Sequence, residues 1–172
     1  MSSKTCLRVL ACSAAWFGGL ALADQLHAQV AADQRDRWTL STMAGTATLA
    51  LVPEPGAPPT IMFVCGIRLP GIAQVIVSNP VAELGERRLR IDLSSGSVSA
   101  MASAERANGI SNAQPSVLGE ITVEQMQELM RSTASSISWR VDLSNSASRP
   151  QTSAPMPHPL SRHRTEFLRF CA

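Results

Sequence analysis

The chain has 172 residues, 45 % of them hydrophobic, which is enough to build a packed core and argues against a disordered chain. Its formal charge is only +2, from 15 Lys plus Arg against 13 Asp plus Glu. That balance excludes the strongly basic surface expected of a nucleic-acid-binding protein.

Residues 1–23 read as a secretory signal peptide. Lys4 and Arg8 form a basic start, residues 9–23 are an apolar run containing Trp16, Phe17 and Leu20, and the run leaves through "ALA" before Asp24. It is short of the roughly 20 apolar residues a membrane span needs and carries Gly18-Gly19 in its middle, so no integral membrane span is expected after cleavage. Ala23 is the expected cleavage point and Ala28 the alternative. Too little apolar sequence precedes Cys12 in "VLAC" for a lipoprotein signal. Removal of the leader takes Lys4, the only lysine, and Arg8, leaving 13 Arg against 13 acidic residues and a net charge near zero. It also removes Cys6 and Cys12. The remaining pair, Cys65 and Cys171, is expected to form one disulfide in an exported chain. Zinc or redox chemistry would call for CxxC spacing or nearby His ligands.

Residues 24–37 read as a flexible lead-in, and 38–172 as a single β-rich domain. "WTLSTM" (38–43), a turn at Ala44-Gly45 and "TATLALV" (46–52) predict a hairpin. "PEPGAPP" (53–59) is a proline-stiffened loop, because proline cannot donate to a strand ladder. "TIMFVC" (60–65) is apolar throughout and is the expected central strand, covered on both faces. "IAQVIVS" (72–78) follows as a strand, then a loop with one helical turn at 79–86. "RRLRIDL" (87–93) alternates, with Leu89, Ile91 and Leu93 inward and Arg88, Arg90 and Asp92 outward; after "SSGS" the chain returns through "VSAMASAE" (98–105). Residues 107–116 read as a polar loop. Thr122 and Gln125 form a T-x-x-Q capping box that opens a helix over 122–132, with Val123, Met126, Leu129 and Met130 on its apolar stripe. "ISWRVDL" (137–143) is a further strand and 144–159 a proline-rich loop. A short closing helix is expected to bury Leu160, Phe167, Leu168 and Cys171. The fold class is therefore mainly β, an antiparallel sandwich or barrel with one central amphipathic helix and a short C-terminal one.

"WRVDLSNS" at 139–146 nearly repeats "LRIDLSSG" at 89–96. As antiparallel neighbours the two strands would place Arg90 opposite Asp142 and Arg140 opposite Asp92, a reciprocal ionic rung that sets register on a watered face. Independent use of one strand-and-turn recipe is the favoured reading of the match. A shared ligand-contacting face and an ancient duplication stay open. Arg88, Arg90, Asp92, Arg140 and Asp142 are the candidate partner-contact face.

Signs of catalysis are sparse. Met156, His158 and His163 in "MPHPLSRH" have the chemistry of a soft-metal site but lack a third firm ligand. There is no G-x-S-x-G, and nothing in the pattern pairs Glu83, Glu86, Glu105 or Glu120 across a cleft. No catalytic, cofactor-binding or metal residue is assigned, and no cofactor is expected. With no Tyr, and only Trp38, Trp139, Phe63, Phe167 and Phe170 beyond the leader, a sugar-stacking aromatic platform is not expected.

The early Trp38, the strand ending in Cys65-Gly66, the alternating strands, one amphipathic helix and the terminal "FLRFC" resemble small exported bacterial β-rich proteins of unknown function. "LSSGSV" (93–98) is similar to a loop of the C-type lysozyme inhibitors, which implies an exported, disulfide-linked β-barrel; those proteins carry a Tyr after the Ser-Gly, absent here. The Trp-led first strand resembles the invasion-associated locus B proteins, which place a Cys where this chain has "TLSTM". The expectation is a non-catalytic periplasmic or secreted binding protein that contacts an envelope protein or cell-wall component. The alternative is a small cell-envelope enzyme or an inhibitor of a cell-wall enzyme. A chain that acts only as a subunit, through Arg88, Arg90 and Arg140, is a third reading.

Overall fold

The computed structural model describes residues 37–78, 89–107, 115–143 and 151–172. Nine strands lie in chain order: β1 (Trp38–Met43), β2 (Thr46–Leu51), β3 (Ile61–Gly66), β4 (Ile72–Ser78), β5 (Leu89–Ser95), β6 (Val98–Ala107), β7 (Ser116–Thr122), β8 (Ser136–Leu143) and β9 (Thr152–Pro155). Helix α1 (Val123–Arg131) lies between β7 and β8, and α2 (Arg162–Phe170) closes the described chain. All nine strands belong to one antiparallel sheet, in the order β1-β2-β3-β4-β7-β6-β5-β8-β9.

The first hairpin forms where the sequence predicts it. Ala44 and Gly45 take φ of +50° and +78°, the left-handed pair of a two-residue turn whose twist matches that of the strands. The tight turn puts Met43 opposite Thr46 and Trp38 opposite Leu51. β5 and β6 form a second two-residue hairpin at Gly96-Ser97, with Gly96 at φ +61°.

The strand expected at the centre, β3, is third from one edge. Phe63 and Cys65 face the core, while Met62 and Val64 are only half-buried, so its unbroken apolar run is not covered equally on both faces. The middle place belongs to β7, which starts at the end of the segment read as a polar loop and runs on to Thr122. β9 likewise runs through the stretch read as a proline-rich loop. It accommodates Pro155 because it is an edge strand, where one side of the ladder needs no donor.

The inward face carries Leu49, Phe63, Val75, Ile91, Leu93 and Ile137, all essentially inaccessible. Trp38 stacks on Phe63 with ring centroids 6.4 Å apart. The sheet curls far enough for its two edge strands to meet through a side chain: the Trp38 indole Nε1–H donates to Pro155 O at 2.9 Å. Small residues line the curl at β6 and β7. A Cβ built on Gly119 would lie 2.7 Å from Ala102 Cβ and 3.1 Å from Ile91 Cδ1, so only glycine fits there.

Helix α1 packs on β6, β7 and β4, and α2 on β2 and β1. The capping box opens α1 as expected: Thr122 Oγ1 accepts from Gln125 N and Gln125 Oε1 accepts from Thr122 N. Met126, Leu129 and Met130 are fully buried. In α2, Phe167 and Cys171 point inward, but Leu160 does not. It precedes the helix and is 52 % exposed, and the helical stripe is completed by Arg164. Arg164 is buried and satisfied, with Nη1 donating to Pro157 O at 3.1 Å and Nη2 to Ser132 O at 3.4 Å. The Cys65–Cys171 disulfide ties α2 to β3, with a Cα–Cα distance of 5.8 Å.

Candidate partner-contact face

The outward residues of β5 and β8 follow from strict alternation. With Leu89, Ile91 and Leu93 inward, Arg90, Asp92 and Ser94 must point out, and β8 repeats the pattern with Ser138, Arg140 and Asp142. The two strands are antiparallel neighbours in the register that makes the ionic rung, Arg90 opposite Asp142 and Asp92 opposite Arg140. Arg88 lies outside the described residues.

The four charges form a closed network rather than two separate pairs. Arg140 Nε lies 2.7 Å from Asp142 Oδ2, and Arg140 Nη2 donates to Asp92 Oδ2 at 3.0 Å. Arg90 Nη2 donates to Asp92 Oδ2 at 3.1 Å and lies 3.5 Å from Asp142 Oδ2, while Arg90 Nε is 3.0 Å from Asp92 Oδ1. The two Nε contacts are ionic and not in line, since neither N–H is aimed at an oxygen. The Asp92 hydrogen bond, then the charge of Asp142, raise the Arg140 pKa above its ordinary value.

Exposure sets the strength of the network. The Asp142 side chain is 5 % exposed and that of Asp92 27 %, against 40 % for Arg90 and 32 % for Arg140. Fully exposed pairs contribute about 0.2–1 kcal/mol each. The ionic contacts to nearly buried Asp142 are less screened by water than those of a fully exposed pair. The rung was legible as an exposed pair; the depth of Asp142 was not, because burial depends on tertiary neighbours that strand alternation does not show.

Beside the network lies a groove of about 510 Å3, lined by Asp92, Ser94, Ser99, Met101, Gln125, Arg140 and Gln151 together with Leu93 and Ala100. Ser99, Met101 and Gln151 were not singled out in the sequence, and Gln125 only as the capping-box residue of α1. Ser99 and Met101 come from β6, Gln125 from α1 and Gln151 from just before β9, and only the tertiary fold brings them together. One further pattern appears when the registers are joined. Ser99 on β6 pairs with Ser94 on β5, Ser94 with Ser138 on β8, and Ser138 with Ser153 on β9, a rank of four outward serines crossing four strands. Adjacent members stand about 5 Å apart, the spacing between strands.

The soft-metal candidates do not converge. Met156 is buried in the core, whereas His158 is exposed, its Nδ1 accepting from Leu160 N at 3.2 Å. Among the described residues no group of three or more His, Cys, Asp or Glu is placed to hold a metal ion. Glu105 and Glu120 are both exposed and sit on adjacent strands; Glu83 and Glu86 lie outside the described residues. No helix among the described residues is long and apolar enough to cross a membrane.

Comparison of the chain with protein-family models, curated proteins and solved structures finds no match.

Proposed function

We propose that the protein is a non-catalytic binding protein of the cell envelope, exported by its N-terminal signal peptide, that meets its partner through the outer face of β6, β5, β8 and β9. The observation that carries this reading is the four-charge network beside the groove. Guanidinium groups are normally mobile. Here Arg140 is held by two carboxylates, so it presents a fixed donor geometry beside Ser94, Ser99 and Met101. Preorganised polar groups around a concavity are what recognition needs, because less side-chain freedom is lost on binding.

The disulfide supports export, since such bonds persist in oxidising compartments. The curled sheet is read as the barrel form of the expected fold, left open between β1 and β9 and bridged there by Trp38. The partner class is an envelope protein or a cell-wall component.

The test is site-specific photo-cross-linking in the intact envelope, with the cross-linker at Ser99 on the proposed face or at Thr48 on β2, four strands away in the sheet order. Products from Ser99 and none from Thr48 are expected. Equal products from both, or none from either, would overturn the assignment of the face.

A further inference from the structure

We propose that the free edge of β1 pairs with β1 of a second copy of this chain, antiparallel and about a two-fold axis at Leu40, joining two sheets into one. Backbone direction carries the argument. Arg37 O accepts from Val52 N, so Arg37, Thr39, Ser41 and Met43 turn their backbone groups toward β2. Trp38, Leu40 and Thr42 therefore point their N–H and C=O groups the other way. Among the described residues no strand pairs with that side, and β9 reaches it through the Trp38 indole. Folded proteins usually blunt such an edge with charge, proline or shortness. The opposite edge is blunted: β9 has four residues, its Pro155 has no N–H, and Pro155 O already accepts from Trp38. The edge at β1 is not. Its six residues, WTLSTM, carry no charge and no proline. Thr39, Ser41 and Met43 stand exposed on the outer side, Met43 at 75 %.

These two edges select the occupant. Pairing of β1 with β9 of another copy would propagate head to tail, and Pro155 denies it a donor. Pairing of β1 with β1 closes after one contact. With Leu40 at the axis, Trp38 lies opposite Thr42 of the second copy and Leu40 opposite its own counterpart, the register of this symmetry that uses every free group on both strands. Thr39 then faces Ser41 of the second copy and Arg37 faces its Met43, so no like charges meet. A foreign extended peptide would have to be ordered before it bonded the same groups, a cost in entropy that a preformed strand does not bear. Nor does β1 offer a charge by which to choose a foreign partner. A six-residue strand is about 20 Å long, so edge pairing covers much less than the roughly 1,600 Å2 of a standard interface. The dimer is therefore concentration-dependent. It is separate from the groove, none of whose lining residues lies on β1.

The test is sedimentation velocity of the oxidised chain over a concentration series, with monomer passing to dimer as the expected result. Thr42→Pro removes an edge-facing N–H and spares the ladder between β1 and β2, so it is expected to weaken the dimer about tenfold or more while the monomer keeps its circular dichroism. Register is read by mixing the Thr39→Cys and Ser41→Cys variants under mild oxidation. The mixture is expected to form a cross-linked dimer, because facing residues of this kind stand about 4.5 Å apart at Cα. Either variant alone is not, because like positions are then offset by two residues and lie beyond the roughly 7 Å that a disulfide spans. A chain that stays monomeric throughout and gives no cross-link would overturn the proposal. So would a dimer that is indifferent to Thr42→Pro and cross-links in no mixture, which would place the contact elsewhere. A monomer whose β1 amide shifts respond to an uncharged extended hexapeptide would overturn the second copy as the occupant.

Discussion

Replacing Gly119 by alanine probes the curl of the sheet at its middle strand. In an unobstructed strand this change stabilises by about 0.4–1 kcal/mol, because alanine has less backbone freedom to lose on folding. At Gly119 the new methyl would lie 2.7 Å from Ala102 Cβ, 3.1 Å from Ile91 Cδ1 and 3.4 Å from Ala104 Cβ. Ala102 and Ile91 are fully buried, so neither can swing into water to make room. Overpacking of this kind costs about 1–3 kcal/mol, which leaves a net loss of about 1–2 kcal/mol. For a domain of this size that corresponds to a fall in Tm of roughly 2–8 °C. The assay is urea unfolding under non-reducing conditions, repeated in an Ala102→Gly background that removes the tightest contact. There the cost of Gly119→Ala should shrink to under about 0.5 kcal/mol, a coupling of about 1 kcal/mol between touching sites. A neutral or stabilising Gly119→Ala, or the same cost in both backgrounds, would refute the packing argument.

Other expectations follow from the same geometry. Asp142→Ala should cost about 1–3 kcal/mol, and Asp92→Ala less, because Asp142 is the more buried carboxylate; equal costs in denaturant unfolding would contradict the burial argument. The raised Arg140 pKa gives stability that is present below the ordinary arginine value and is lost only as pH rises through the folded-state value, so urea midpoints should show no loss from Arg140 between about pH 6 and 9. Trp38→Phe should cost about 1–3 kcal/mol by leaving Pro155 O without its donor and the indole volume unfilled, with hydrogen exchange rising first in β9. Reduction, or Cys65→Ala with Cys171→Ala, should remove up to about 4.7 kcal/mol for a loop spanning 106 residues, with α2 the first element to lose protection.

The parts of the molecule that the sequence revealed are those where a local rule and the global fold agree. Alternation in "RRLRIDL" and "ISWRVDL" gave the inward and outward sets of β5 and β8, and the matching Arg-x-Asp order gave their register. The capping box of α1 is a local hydrogen-bond exchange and was equally plain. β7 was hidden because Gly119 interrupts its apolar face, and the reason for that glycine lies on β5 and β6, far away in sequence. β9 was hidden because proline marks both loops and edge strands, and only the sheet order separates the two. Leu160 was expected inside and is exposed, while Arg164 is buried in its stead. The helix starts after Leu160, and Arg164 finds backbone acceptors at Pro157 and Ser132 that no sequence pattern announces. The groove and the serine rank needed three strand pairings joined end to end, which no single stretch of sequence contains.

The central claim is that an exported, oxidised chain holds a partner on the outer face of β5 and β8. Native mass spectrometry without reductant, on protein recovered from the envelope of the cells that make it, tests this most directly. The account predicts the mass of residues 24–172 less two hydrogens, together with a bound species that is lost in the Met101→Arg variant. A full-length reduced chain with no bound species would contradict both the compartment and the binding role.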